Sequence, residues 1–231
     1  MEFRNVSVIL TDIEGTTTSV NFVYEVLFPY FREHLDDLRE MTDDPAIRKA
    51  LESTKNLAEE MYSKSIGSSD ELLTVLRQWS LEDKKLTPLK TIQGILWKKG
   101  YEQGELKGHV YDDVLPAFKK WSSQHVKIAV FSSGSVMAQK LIFGYSTSGN
   151  LTEFLHAYYD TETGGKREET TYRSICKKLE VEAENVLFLS DIVQELEAAD
   201  KAGMQTIQLV RPGTDTAWRN TVNDFSEIQL N

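Results

Sequence analysis

Four short apolar runs, each broken off by small polar or acidic residues, restrict what this chain can fold into more than any other feature. Val6-Ser7-Val8-Ile9-Leu10 stops at Thr11-Asp12, and Val126 to Phe131 stops at Ser132-Ser133-Gly134. Val186-Leu187-Phe188-Leu189 stops at Ser190-Asp191, and Thr206 to Val210 precedes Arg211-Pro212-Gly213. Near-continuous apolar runs, rather than alternating ones, suit strands covered on both faces, the condition of a parallel sheet. Helical patterns fall in the same part of the chain: Ser135 to Phe143, Glu168 to Leu179, and Ile192, Leu196 and Ala199 at i, i+4, i+7, with Gly203 as a stop. Strand and helix in this rhythm predict an α/β fold, a doubly wound and mostly parallel sheet.

The segment 21–107 breaks the rhythm, with helix signals and no convincing strand. Asp44-Pro45 offers an N-cap with proline in the first turn, followed by Ile47, Ala50, Leu51, Leu57, Ala58 and Met61 on one side. Ser68-x-x-Glu71 has the form of a capping box before Leu72, Val75, Leu76 and Trp79. Thr87-Pro88 opens a third helix, with Leu89, Ile92 and Leu96 inward and Gly100 as its expected stop. The predicted organisation is an α/β core of residues 1–20 and 108–231 and an all-helical insertion, 21–107, packed over the carboxyl edge of the sheet.

Charge narrows the partners. Twenty-six Lys and Arg stand against 36 Asp and Glu, a formal charge of −10, which argues against nucleic acid, since neutralising a phosphate backbone needs a basic face. A small phosphorylated substrate stays open, because a few local cations suffice to hold it. The single cysteine, Cys176, excludes an internal disulfide. No apolar run reaches 18 residues, and the acidic, short opening segment does not read as a signal peptide. The expectation is a cytoplasmic protein, with the nucleus as a further location, that is monomeric and has no membrane partner.

Ligands of open α/β sheets bind outside the carboxyl ends of the strands. That rule selects Asp12 and Glu14 after the first strand, Ser132 and Ser133 after the second and Asp191 after the third. The loop Thr161-Glu162-Thr163-Gly164-Gly165-Lys166 adds a cation. Acids able to hold a hard cation, two hydroxyls and a lysine suit a phosphate: Mg²⁺ bridges it, Lys⁺ neutralises it, and hydroxyls and backbone N–H groups hold its oxygens. A carboxylate can attack phosphorus, and a second acid two residues on can protonate the leaving oxygen and then activate water. No Ser-His-Asp arrangement and no G-x-S-x-G elbow competes.

Asp12-Ile13-Glu14-Gly15-Thr16-Thr17-Thr18 after a strand resembles the first motif of the haloacid dehalogenase-like phosphohydrolases. Ser132-Ser133, Lys166 and Ser190-Asp191-x-x-x-Glu195 resemble the second, third and fourth in the right order. Glu14, where most members carry Asp, is similar to the enolase-phosphatase E1 family, as are Leu27-Phe28-Pro29-Tyr30, Phe131-Ser132-Ser133-Gly134-Ser135, Gln139-Lys140-Leu141-Ile142-Phe143-Gly144 and Leu187 to Asp191. The resemblance runs through nearly the whole chain, and it makes the helical insertion a cap domain. It implies Asp12 as nucleophile and Mg²⁺ ligand, Glu14 as acid/base that also offers its backbone carbonyl to the metal, and Asp191 as the remaining carboxylate ligand. It assigns the substrate's phosphate to Ser132, Ser133 and Lys166. The implied substrate is a phosphorylated diketone, 2,3-diketo-5-methylthiopentyl 1-phosphate, enolised and then dephosphorylated in the methionine salvage pathway. It leaves the enolisation base open.

Simpler roles compete at several positions. Ser132 and Ser133 could cap the following helix as well as hold phosphate. Lys140 and Arg167 rival Lys166, and Glu195 reads as an orienting or capping residue. His34, His109, His125 and His156 lack metal-ligand spacing, and Cys176 reads as a small core residue. Trp97 and Tyr101 fit packing better than a pocket for a methylthio group. A phosphatase for another small metabolite and a non-catalytic binding protein on the same fold are the competing functions.

Overall fold

The computed structural model describes residues 1–231 and divides into two compact units, Met1–Val20 with Lys107–Asn231, and Asn21–Leu106. Its strands are β1 (Glu2–Phe3), β2 (Val8–Thr11), β3 (Lys127–Phe131), β4 (Leu155–Tyr159), β5 (Val186–Ser190), β6 (Gln205–Leu209), β7 (Thr221–Val222) and β8 (Gln229–Leu230). Six of them form an all-parallel sheet in the order β4-β3-β2-β5-β6-β7, while β1 and β8 pair separately near the two termini. The expected doubly wound α/β core is therefore present. β2 lies between β3 and β5, with Leu10 opposite Ala129 on one side and Phe188 on the other.

Every residue of β2 and β5 is buried, as the unbroken apolar runs require. One face carries Val8, Leu10, Ala129, Phe131, Val186 and Phe188 against Tyr172, Ile175 and Leu179 of α8 (Glu169–Leu179) and Leu196 and Ala199 of α9 (Val193–Lys201). Phe118 and Trp121 of α6 (Val114–Ser123) and Phe143 of α7 (Val136–Gly144) join an aromatic group that includes Phe225. Each such side chain, fully buried, contributes about 1.5–3 kcal/mol. Sequence periodicity gave no sign of β4, an edge strand whose pattern is interrupted by exposed His156.

The helical unit opens with α1 (Val20–Phe22), a π-helical turn over Val23–Leu27 and α2 (Phe28–Glu33) in one continuous run. A 3₁₀ turn over Leu35–Arg39 follows, then α3 (Pro45–Tyr62), α4 (Ser69–Leu81) and α5 (Thr87–Gln103). Asp44 caps α3 by accepting from Ala46 N at 2.7 Å. Ser68 accepts from Glu71 N, and Glu71 reaches back to Gly67 N at 2.8 Å. Ile47, Ala58, Leu76, Trp79, Leu89 and Ile92 form the interior, whereas Met61, expected to face inward, is exposed. Within the charged stretch after α2, Leu35 and Leu38 are buried.

Gly100 is not the end of α5. The helix continues to Gln103, and Gly104 takes the left-handed conformation at φ 78°. Gly100 serves close approach instead: a Cβ there would lie 2.6 Å from Cζ and the hydroxyl of Tyr30.

Candidate active site

β2 delivers Asp12 at the carboxyl edge, where its N–H donates to Leu189 O of β5 at 2.9 Å. The chain then reverses within a few residues, because the N–H groups of Thr16, Thr17 and Thr18 all donate to Ile13 O. Gly15 makes the reversal possible at φ 73°, a region that disfavours other residues. It also leaves room for Asp191, since a Cβ on Gly15 would fall 2.2 Å from Asp191 Oδ2. The first and fourth sequence motifs are thus in van der Waals contact.

Lys166 enters the same region between two acids. Its Nζ lies 2.6 Å from Asp12 Oδ1 and 2.7 Å from Glu195 Oε2, with all three side chains at most 10% exposed. Ile13 N also donates to Asp12 Oδ1, and Ser190 Oγ donates to Glu195. The backbone of Lys166 is fixed by the hydroxyl of Tyr172, which donates to its carbonyl at 2.6 Å. Burial alone would lower the Lys166 pKa, but the charges of Asp12 and Glu195 outweigh it and hold the ammonium form. The rivals are elsewhere: Arg167 is exposed, and the Lys140 ammonium lies over the ring of Tyr158. Glu195, which reads from sequence as an orienting or capping residue, is in this cluster an ion-pair partner of Lys166.

Asp191 is placed differently. Its N–H donates to Thr16 Oγ1, but its Oδ1 is buried without a hydrogen-bond partner. Burial first, and the neighbouring charge of Asp12 second, push its carboxyl up to about 7. A buried oxygen without a donor beside a second carboxylate is the arrangement a cation relieves. No three His, Cys, Asp or Glu side chains are gathered for a metal. A cation here would have Asp12 and Asp191 as its carboxylate ligands, which suits an oxygen-ligated ion that keeps several waters. Glu14 lies in the turn of the Asp12 loop, and its charge is a further contribution to the raised Asp191 pKa.

Ser132 and Ser133 follow β3, the parallel neighbour of β2, on the same sheet edge. Ser132 is buried, with its N–H donating to Tyr159 O and its Oγ accepting from Gly134 N. The cap of α7 falls to Ser135, which accepts from Ala138 N, so the helix start does not consume the Ser132 or Ser133 hydroxyls. Gln139 braces this loop by donating to the carbonyls of Gly134 and Tyr159. Its two carbonyl partners come from different strand ends, so local sequence gives no sign of the role. His109 accepts from Ser19 N through Nδ1, and Trp97 Nε1 donates to Leu27 O, so both have packing roles inside their own units.

The acid after β2, the lysine bound to it and the second acid across the loop thus gather at one edge of a parallel sheet. The family model for haloacid dehalogenase-like hydrolases matches residues 6–203. Among curated proteins, enolase-phosphatase E1 of Picosynechococcus sp. is 45% identical over 221 residues, covering 95% of this chain and 96% of that protein. The enolase-phosphatase E1 of Drosophila willistoni is 44% identical over 242 residues, 98% of each. The crystal structure of UTR4 protein from Saccharomyces cerevisiae matches with a TM-score of 0.81 at 31% identity, over 96% of this chain and 99% of that one. The chain belongs to the enolase-phosphatase E1 family of the haloacid dehalogenase-like hydrolases.

Proposed function

We propose that this chain enolises 2,3-diketo-5-methylthiopentyl 1-phosphate and hydrolyses its phosphate, giving the acireductone 1,2-dihydroxy-3-keto-5-methylthiopentene of methionine salvage. Support comes from the family and from one observation above all: Lys166 Nζ 2.6 Å from Asp12 Oδ1, with the unpartnered Asp191 oxygen across the same loop. Asp12, Asp191 and the Glu14 carbonyl would hold Mg²⁺, which when bound offsets charge on the phosphate and stabilises a developing enediolate. The helical unit is assigned as a cap that selects the substrate's tail.

Asp12 Oδ1 is engaged by Ile13 N and Lys166, so Oδ2 is the oxygen that attacks phosphorus. As the new O–P bond forms, the ester O–P bond breaks and the leaving oxygen takes a proton from the Glu14 carboxyl. The Glu14 carboxylate then takes a proton from water, whose oxygen displaces Asp12 from the aspartyl-phosphate and releases inorganic phosphate. Lys166 keeps a cation beside the phosphoryl oxygens throughout, and the Ser132 and Ser133 hydroxyls donate to them.

The test is Asp12→Asn assayed on the diketone phosphate for released phosphate and for ultraviolet absorbance of the conjugated enediol. Phosphate release should fall on the order of 10⁴-fold or more with unfolding unchanged in cooperativity. Release at the wild-type rate would remove Asp12 as nucleophile, and release without an enediol signal in the wild type would indicate a plain phosphatase.

A further inference from the structure

Two polar side chains at the carboxyl end of β6 have no place in the chemistry above, yet both are buried. Gln208 sits opposite Ser190 in the sheet, and all its hydrogen-bonding capacity goes to backbone. Its Nε2 donates to Asp191 O at 3.0 Å and Asp215 O at 2.9 Å, and its Oε1 accepts from Ala217 N and Trp218 N. Arg211 Nε donates to Thr16 O at 3.0 Å, and its guanidinium forms a two-point pair with Asp113 at 3.0 and 2.8 Å. The same guanidinium lies 4.1 Å from the centre of the Tyr111 ring.

These contacts join into one path. Asp191 is gripped on both sides of its backbone, its N–H by Thr16 Oγ1 and its carbonyl by Gln208. Thr16 is gripped in turn through its N–H by Ile13 O and through its carbonyl by Arg211. A buried ion pair adds little net stability over well-packed apolar groups, so stability alone does not explain Arg211 and Asp113. Fixing the separation of two loops does. Mg²⁺ demands near-ideal oxygen distances, and Gly15 leaves less than one methyl group of slack between the Asp12 loop and Asp191.

We propose that Gln208 and Arg211 are positioning residues that set the spacing of the Asp12 loop and Asp191, and through it the affinity of the site for its divalent cation. This rests on the reading of Asp12 and Asp191 as the carboxylate ligands. The test is thermal unfolding of the full chain, stripped of divalent ions, during titration with MgCl₂. Binding to the folded state raises the midpoint temperature in proportion to ln(1 + [Mg²⁺]/Kd). Gln208→Met and Arg211→Met should each move the Mg²⁺ dependence about 10-fold or more to higher concentration, and Arg211→Lys by less. A purely structural role predicts a lower midpoint at every concentration with an unchanged Mg²⁺ dependence, and that result overturns the proposal. If Arg211→Met fails to fold, Gln208→Met and Arg211→Lys decide. Asp191→Asn separates the two levels: if it also leaves the Mg²⁺ response intact, the ligand assignment fails, whereas loss of the response there and no shift in Gln208→Met refutes the positioning role alone.

Discussion

Charge is handled on opposite terms in the two units. In the sheet unit, Lys166, Asp12 and Glu195 are nearly excluded from water and within hydrogen-bond distance of one another. In the helical unit, pairs such as Lys98 with Glu102 and Lys55 with Glu59 are solvated and one helical turn apart. Solvated pairs contribute about 0.2–1 kcal/mol, and a fold loses little without them. Burying the triad costs several kcal/mol of desolvation per ion, which the pairing and its hydrogen bonds must offset. Such a cluster is poor scaffolding, which supports the proposed chemical roles of Asp12 and Lys166.

The largest effect should come from removing the shared cation. Lys166→Met leaves two buried carboxylates facing each other and should lower unfolding stability by about 3–5 kcal/mol at pH 7.5 without divalent ions, read by urea denaturation. A loss below 1 kcal/mol would break the contrast between the units. Asp191→Asn should act with the opposite sign. The folded-state pKa of Asp191 is about 7 against an ordinary 3.8, so the folded protein holds the proton more tightly than the unfolded chain. Wild-type stability therefore falls as pH rises from about 4 to 7 and the penalty is complete above that range. In chelator, Asp191→Asn should gain on the order of 2 kcal/mol at pH 8, and that gain should vanish near pH 4. A gain independent of pH would remove ionisation as the cause.

In the helical unit, packing should matter more than charge. Gly100→Ala pushes a methyl group into Tyr30, whose hydroxyl donates to Glu105 at 2.7 Å, and should cost about 1–3 kcal/mol despite the better helix propensity of alanine. The smallest effect is Lys98→Ala, expected within about 0.5 kcal/mol and insensitive to salt above 0.5 M. A cost comparable to that of Lys166→Met would erase the distinction drawn here.

The legible parts of this molecule are those set by neighbours in sequence. β2, β3, β5 and β6 are legible because strands buried on both faces read as near-continuous apolar runs, and the Asp44 and Ser68 caps because capping is local. β4 did not, since an edge strand needs no such run. Gly100 was misread because sequence does not distinguish a glycine that ends a helix from one that admits a tyrosine ring. At the site, Asp12 and Asp191 follow from the rule that ligands gather at strand ends. Gln208 and Arg211 also stand at a strand end, but their role is not legible there, because their partners at Asp191, Thr16 and Asp113 are 17, 195 and 98 residues away.

The place of β2 between β3 and β5 also bears on how the protein is made. The strand carrying Asp12 is made well before either of its neighbours, of which one begins at Lys127 and the other at Val186. A nascent chain must therefore carry an unpaired, mostly apolar strand until both neighbours have been made, a state open to wrong partners. A need for protection during synthesis follows from a central strand whose two partners are both made later.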